Sequence, residues 1–134
     1  MPELDDGDID AMRAEYAHCF GCGPDNPMGL RLRDFVRDES TVSAIFVPRP
    51  EYRGYAEILH GGVIATDLDY ILAWTDILDA NTMVVTGRLD ERFRKPAPAD
   101  ATNRLEGALI ERRGKRLILE GSCRRDDAPV ATAR

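Results

Sequence analysis

The stretch LHGGVIATDLDYILAWTDIL, Leu59 to Leu78, decides the fold. Ile64, Leu68, Ile71, Thr75 and Leu78 recur at the spacing of an amphipathic helix, and the run is too long for a typical strand. One long helix is therefore expected from His60-Gly61-Gly62 to about Leu78. On either side the pattern alternates instead. Leu30 to Val36 and Thr41 to Val47 read as strands joined by the turn Asp38-Glu39-Ser40. Val84 to Arg94, Thr102 to Arg112, Arg116 to Arg124 and a last piece from Val130 read as four more, with turns at Gly114-Lys115 and Asp126 to Pro129. The late connections are too short for parallel crossovers. The expectation is an α+β fold in which an antiparallel sheet packs against one central helix. Ahead of it, residues 1–18 read as an N-terminal tail with a short helix over Asp8 to Tyr16, residues 1–8 being mobile. His18 to Gly29, rich in Gly, Pro and Asn, reads as a loop, and Pro48 to Ala56 as an irregular connection. Residues 19–134 form a single domain.

Successive helical residues turn by about 100°. Measured from Asp69, the nearest positions are Gly62, Ala65, Thr66, Ala73 and Asp76, a small-sided face that a ligand or another backbone can approach. Val63, Ile64, Ile71, Trp74 and Leu78 form a bulky arc on the opposite side, facing the sheet. Asp67 falls within that arc. The two carboxylates therefore cannot share one site, and a buried Asp67 needs a partner or a raised pKa. Arg53, Arg88 and Arg92 are the candidate partners. Ahead of the helix, Gly61 and Gly62 let a ligand come close to the backbone. The first-turn N–H groups are expected to point outward unpaired, as an oxyanion would require. Taken alone, this local pattern is better read as a plain Gly-rich turn into a helix.

Composition narrows the class. The chain has 134 residues, 43% apolar and 31% charged, which suits one soluble domain. A net charge of −6 argues against a nucleic-acid scaffold. Met1 to Asp10 is acidic where a secretory leader is basic and then apolar, and Gly61 to Leu78 carries Asp67, Asp69 and Asp76, so neither export nor a membrane span is expected. Three cysteines without secretory context read as free thiols in a reducing cytoplasm.

Three segments together resemble a known family. Cys19-Phe20-Gly21-Cys22-Gly23-Pro24-Asp25-Asn26-Pro27-Met28-Gly29-Leu30, then Leu59-His60-Gly61-Gly62 with Asp69 seven residues on, then Phe93-Arg94-Lys95-Pro96 are similar to the phenylacetate-pathway (PaaI-like) hotdog thioesterases. The resemblance runs from about Cys19 to the C-terminus. It implies a hotdog fold, a long helix wrapped by an antiparallel sheet, assembled as a homodimer with a dimer of dimers left open. It implies hydrolysis of an acyl-CoA to a carboxylic acid and free CoA, without cofactor or metal. Asp69 falls on the family's acidic position, as general base or nucleophile. The Gly62 N–H would polarise the thioester carbonyl. His60 would hold that loop, and Thr86 matches a hydroxyl that reaches the partner subunit's site. Gly61, Arg53 and Thr66 would line the substrate, and Arg92, Arg94 and Lys95 would meet the CoA phosphates, for which Arg's fork is suited. A second basic group, Arg112, Arg113, Lys115 and Arg116, has the same aptitude.

Three residues depart from the family. Arg53 stands where Gln or Asn is usual and cannot accept a hydrogen bond from water. Asp67 and Glu91 replace apolar residues. These substitutions motivate the alternative expectation, a non-catalytic hotdog protein that binds an acyl-CoA or a related small molecule. His18, Cys19 and Cys22 make only half a zinc site, so no metal is expected. A Cys-x-x-Cys redox centre lacks its usual strand-to-helix setting here, so buried or loop thiols are expected.

Overall fold

The computed structural model describes residues 6–80, 84–126 and 128–134. The elements run α1 (Asp6–Glu15), β1 (Arg33–Asp38), β2 (Thr41–Phe46), a 3-10 turn (Pro50–Tyr52), α2 (Gly61–Ala80), β3 (Glu91–Phe93), β4 (Asn103–Arg113), β5 (Arg116–Arg125) and β6 (Ala128–Ala133). The mobility expected of residues 1–8 falls partly outside the described residues, while 6–8 already belong to α1. The last turn includes residue 127, which also lies outside them.

The six strands form one sheet in the order β1-β2-β4-β5-β6-β3, each pair antiparallel. The sheet lays its inward side chains on α2. Val42, Ala44 and Phe46 of β2, Leu105 of β4, Cys123 of β5 and Ala131 of β6 are buried against Ile64, Leu68, Ile71, Trp74 and Leu78. Each large aliphatic side chain so covered contributes about 1.5–3 kcal/mol of hydrophobic stabilisation. The helix comes nearest the sheet at Gly107, where a Cβ would run into the Thr75 hydroxyl, and at Gly121, where it would lie 3.0 Å from Leu72 Cδ2. Glycine on two adjacent strands thus sets the closeness of helix and sheet.

The remaining segments close the ends of this core. α1 buries Ile9, and its neighbour Tyr16 meets Trp74 edge-on with ring centroids 6.2 Å apart. Phe35 stacks on the same indole at 4.7 Å. The loop after α1 is pinned by Arg49, which donates to the carbonyls of Pro27 (3.0 Å) and Gly29 (2.8 Å).

Two strand expectations need correction. The first strand begins at Arg33 and not Leu30, because Arg31 and Asp34 take φ of 55° and 56° and the register with β2 shifts between Arg33 and Val36. Leu30 and Leu32 still alternate inward, both buried. The strand expected over Val84 to Arg94 shrinks to Glu91–Phe93, where β6 supplies a ladder partner. Residues 84–90 run beyond β3 at the sheet edge, with Val85 96% exposed. Among the described residues, no helix is long and apolar enough to cross a membrane.

Candidate active site

His60 shapes the start of α2. Its carbonyl accepts the N–H of Val63 (2.9 Å) and Ile64 (3.3 Å), and its ring Nδ1 accepts the N–H of Gly62 at 2.8 Å. The expected row of outward, unpaired N–H groups is therefore corrected: His60 caps three of them, because its backbone and ring both face the first turn. The ring packs closely, since a Cβ on Gly62 would lie 3.0 Å from His60 Nδ1. The loop before it is held by His60 N–H donating to Tyr52 O at 2.9 Å. Phe93 closes over Gly61, its Cζ lying 3.6 Å from where a Cβ would stand.

Asp69 lies two turns further along the helix and is partly exposed. The Thr86 hydroxyl donates to its Oδ1 at 2.5 Å. That hydrogen bond orients the carboxylate and leaves Oδ2 for another proton donor. Asp69 and Thr86 open on a cleft of about 880 Å³ bounded by α2, residues 84–90 and the β4–β5 hairpin. Leu72, Ala73 and Leu119 line its apolar side, and Lys115 and Arg116 stand on its basic side.

Glu91 comes close to this pair. It shares a face of β3 with Phe93, so the strand that covers Gly61 carries Glu91 toward the middle of α2. Burial pushes its carboxyl up, and the nearby Asp69 charge pushes it further. Its Oε1 is covered and meets no hydrogen-bond donor among the described residues. The sequence marked Glu91 only as a polar residue in an apolar position; its proximity to Asp69 arises from tertiary packing.

The other expected residues fall in different places. Thr66 hydrogen bonds back to the Gly62 carbonyl at 2.8 Å. Arg53 pairs with Glu57 at 3.0 Å. Arg92, Arg94 and Lys95 are exposed along and beyond β3, with Arg94 reaching Thr132 at 3.2 Å. The second basic group divides: Arg112 pairs with Asp76 at 3.1 Å, while Arg113, paired with Glu111, lines the cleft with Lys115 and Arg116. Asp76, placed by the helical angle on the open face beside Asp69, is fully buried instead, because Arg112 reaches over to it from β4.

Asp67 is fully buried, as its angle on the helix implied. The expected arginine partners are corrected. Arg53 is engaged by Glu57 and Arg88 by Asp90, and neither Asp67 oxygen has a hydrogen-bond partner among the described residues. Burial pushes its carboxyl well above the ordinary range, which meets the other half of the expectation. It stands close enough to Cys123 to help raise that thiol, which burial pushes up to about 12.

With this geometry in hand, the known proteins most like the chain are informative. No protein-family model matches it. The chain is 26% identical over 125 residues to acyl-coenzyme A thioesterase THEM4 of Bos taurus, covering 92% of the chain and 51% of that protein. It thus spans about half the length of this curated relative. A thioesterase superfamily protein shares the fold with a TM-score of 0.80, at 23% identity, over 87% of this chain and 61% of the other. A phenylacetic acid degradation-related protein from Ralstonia eutropha JMP134 shares it at 0.66 and 24% identity, over 78% and 81% of the two chains. A Streptococcus mutans protein with bound acetyl CoA shares it at 0.69 and 20% identity, over 75% and 82%. The fold is the hotdog fold that these proteins share, a six-stranded antiparallel sheet around α2.

Proposed function

We propose that the chain hydrolyses an acyl-CoA thioester. The observation that carries this reading is the Asp69–Thr86 pair, a half-exposed carboxylate oriented by a hydroxyl at the mouth of a large cleft. The similarity to a curated acyl-CoA thioesterase and the acetyl CoA held by a protein of the same fold support the substrate class.

In the reaction, Asp69 Oδ2 takes a proton from water as the water oxygen attacks the thioester carbonyl carbon. The carbonyl π electrons move onto oxygen, forming a tetrahedral oxyanion. The Gly62 N–H at the head of α2 stabilises that oxyanion. Collapse breaks the carbon–sulfur bond, and the CoA thiolate leaves with the proton Asp69 had taken. Thr86 holds the Asp69 carboxylate in place. The His60 ring, which occupies the Gly62 N–H in this state, turns away to admit the carbonyl oxygen. Lys115 and Arg116, with Arg92, Arg94 and Lys95 at the sheet edge, meet the CoA phosphates.

On this reading the site takes two copies of the chain. Gly62 and Asp69 lie on one face of α2 but about 10.5 Å apart along its axis. A water held by Asp69 and a carbonyl oxygen held by Gly62 must lie within about 3 Å of their respective partners and about one bond from a common carbon. One chain therefore supplies only half of the site to each end, and a homodimer that sets Asp69 of one copy beside Gly62 of the other completes it. The exposed Val85 and the short edge strand β3 offer the surface for that pairing. Free thiols at Cys19, Cys22 and Cys123 fit a reducing cytoplasm.

The engaged Gly62 N–H favours one other reading, an acyl-CoA binder that does not turn over. A panel of acyl-CoAs assayed with a thiol reagent decides. Release of free CoA supports hydrolysis, and calorimetric binding without release supports the binder.

A further inference from the structure

The loop that joins α1 to β1 curls on itself between Tyr16 and Asp25. The N–H of Cys19 donates to Tyr16 O, that of Gly23 to Cys19 O and that of Asp25 to Ala17 O, each at 2.9 Å. A Cβ at Gly23 would collide with the backbone of Ala17 and Cys19, so only glycine lets the turn close this tightly. The curl brings the sulfurs of Cys19 and Cys22 into hydrogen-bond contact, with the Cys22 thiol donating to Cys19. Three more donors converge on the Cys19 sulfur: the Tyr70 hydroxyl from α2 and the N–H groups of Cys22 and Gly21. Gly21 lies so flat against the Tyr70 ring that a side chain there would strike it, which fixes the hydroxyl over the loop.

The two thiols are consequently unlike. Burial pushes Cys19 up, but the Tyr70 hydroxyl and the two amides outweigh it and hold the thiol below its ordinary value. Cys22 is 2% exposed, and burial pushes it up to about 12. A half-buried sulfur inclined to ionise beside a fully covered, protonated one is the arrangement of an attacking and a resolving thiol. The strand-to-helix setting that usually supplies donors to such a pair is absent, and the turn amides and Tyr70 take its place. Cys123 lies apart from this contact, on β5 under the sheet.

We propose that Cys19 and Cys22 form a thiol–disulfide exchange site for low-molecular-weight disulfides. The Cys19 thiolate attacks one sulfur of the external disulfide, forming a mixed disulfide and expelling one thiolate, which takes up the proton Cys19 had lost. The Cys22 sulfur then loses its proton to solvent and attacks Cys19 Sγ. A Cys19–Cys22 disulfide forms, and the second external thiolate leaves and is protonated. The protein is oxidised by two electrons and the external disulfide is reduced to two thiols.

The test uses the whole chain in graded mixtures of reduced and oxidised glutathione, quenched with iodoacetamide and mapped by mass spectrometry. The expected wild-type product lacks two hydrogens, joins Cys19 to Cys22 and leaves Cys123 alkylated. Cys22→Ser should stop at the glutathione adduct on Cys19, and Cys19→Ser should form neither species. A measurement on folded wild type covers the case in which those variants do not fold. Iodoacetamide should modify Cys19 well before Cys22, and Tyr70→Phe should slow that reaction severalfold at neutral pH and move its pH midpoint upward. Absence of the disulfide at every glutathione ratio, a bridge that involves Cys123, or equal alkylation rates at Cys19 and Cys22 that ignore Tyr70→Phe would each overturn the proposal.

Discussion

The Thr86 hydroxyl donates to Asp69 Oδ1 at 2.5 Å, tying an irregular edge segment to the middle of α2. If Asp69 is the base, Asp69→Asn should lower kcat by about 10²–10⁴-fold, the usual share of general base catalysis. Circular dichroism and thermal unfolding should stay close to wild type, because Asp69 is partly exposed. Thr86→Val should lower kcat by less, and Thr86→Ser should restore most of it by keeping the hydroxyl. Full activity in Asp69→Asn with several acyl-CoAs would remove Asp69 from the reaction.

Glu91 should show itself in the pH profile. Burial and the Asp69 charge both favour its protonated form, so it holds its proton above the ordinary carboxylate range. While Glu91 holds that proton, Asp69 has a neutral neighbour. As pH rises past that raised value, Glu91 ionises and adds a second negative charge where an oxyanion must form. Wild-type kcat/KM should therefore fall on that limb. Glu91→Gln, which stays neutral, should keep its activity to higher pH. Superimposable profiles for the two proteins would show that Glu91 does not communicate with the site.

Asp67 makes a prediction about stability. Its folded pKa is raised by burial above the unfolded value of about 3.9. Well below about pH 4 both states hold the proton, and the group adds no pH-dependent term. As pH rises from there through the folded value, the unfolded chain releases its proton first, so folding stability declines. Asp67→Leu removes this term and fills the same place in the core. It should be more stable than wild type near pH 7, by about 1–3 kcal/mol. Urea midpoints of the two proteins should converge on acidification. Parallel curves would mean that Asp67 has a partner in solution.

The helix was legible because its evidence is local: Ile64, Leu68, Ile71 and Leu78 mark one face, and each is buried in the structure. The angle of Asp67 on that helix was enough to place it inside. Its lack of a partner was not legible, since the arginines nearest in pattern are taken up by Glu57 and Asp90. Residues 84–90 alternate like a strand, yet a strand needs a ladder, and the pairing that runs on from β6 through Arg134 reaches only as far as Asp90. Asp69 and Gly62 stood out through the resemblance, whereas the role of the His60 ring in capping Gly62 depends on a side-chain rotation that no spacing encodes. The approach of Glu91 to Asp69 likewise depends on how the edge strand crosses α2.

The separation of Gly62 and Asp69 along α2 leads to a test that needs no structure of the dimer. Each chain carries both residues, and in the proposed dimeric site one thioester uses the Gly62 of one copy and the Asp69 of the other. Asp69→Asn inactivates one half. Gly62→Pro inactivates the other by removing the N–H, and proline is tolerated in the first turn of a helix. Each variant alone should be nearly inactive. Mixed and allowed to exchange subunits, about half of the dimers are heterodimers. Each heterodimer contains one site with both lesions and one with neither. Activity should therefore return to roughly a quarter of wild type, that is, one intact site in half of the dimers. A site built within a single chain predicts no recovery at any mixing ratio, because every chain then carries a lesion. No recovery, with exchange verified by mass-labelled subunits, would place Gly62 and Asp69 of the same chain in one site and overturn the shared arrangement.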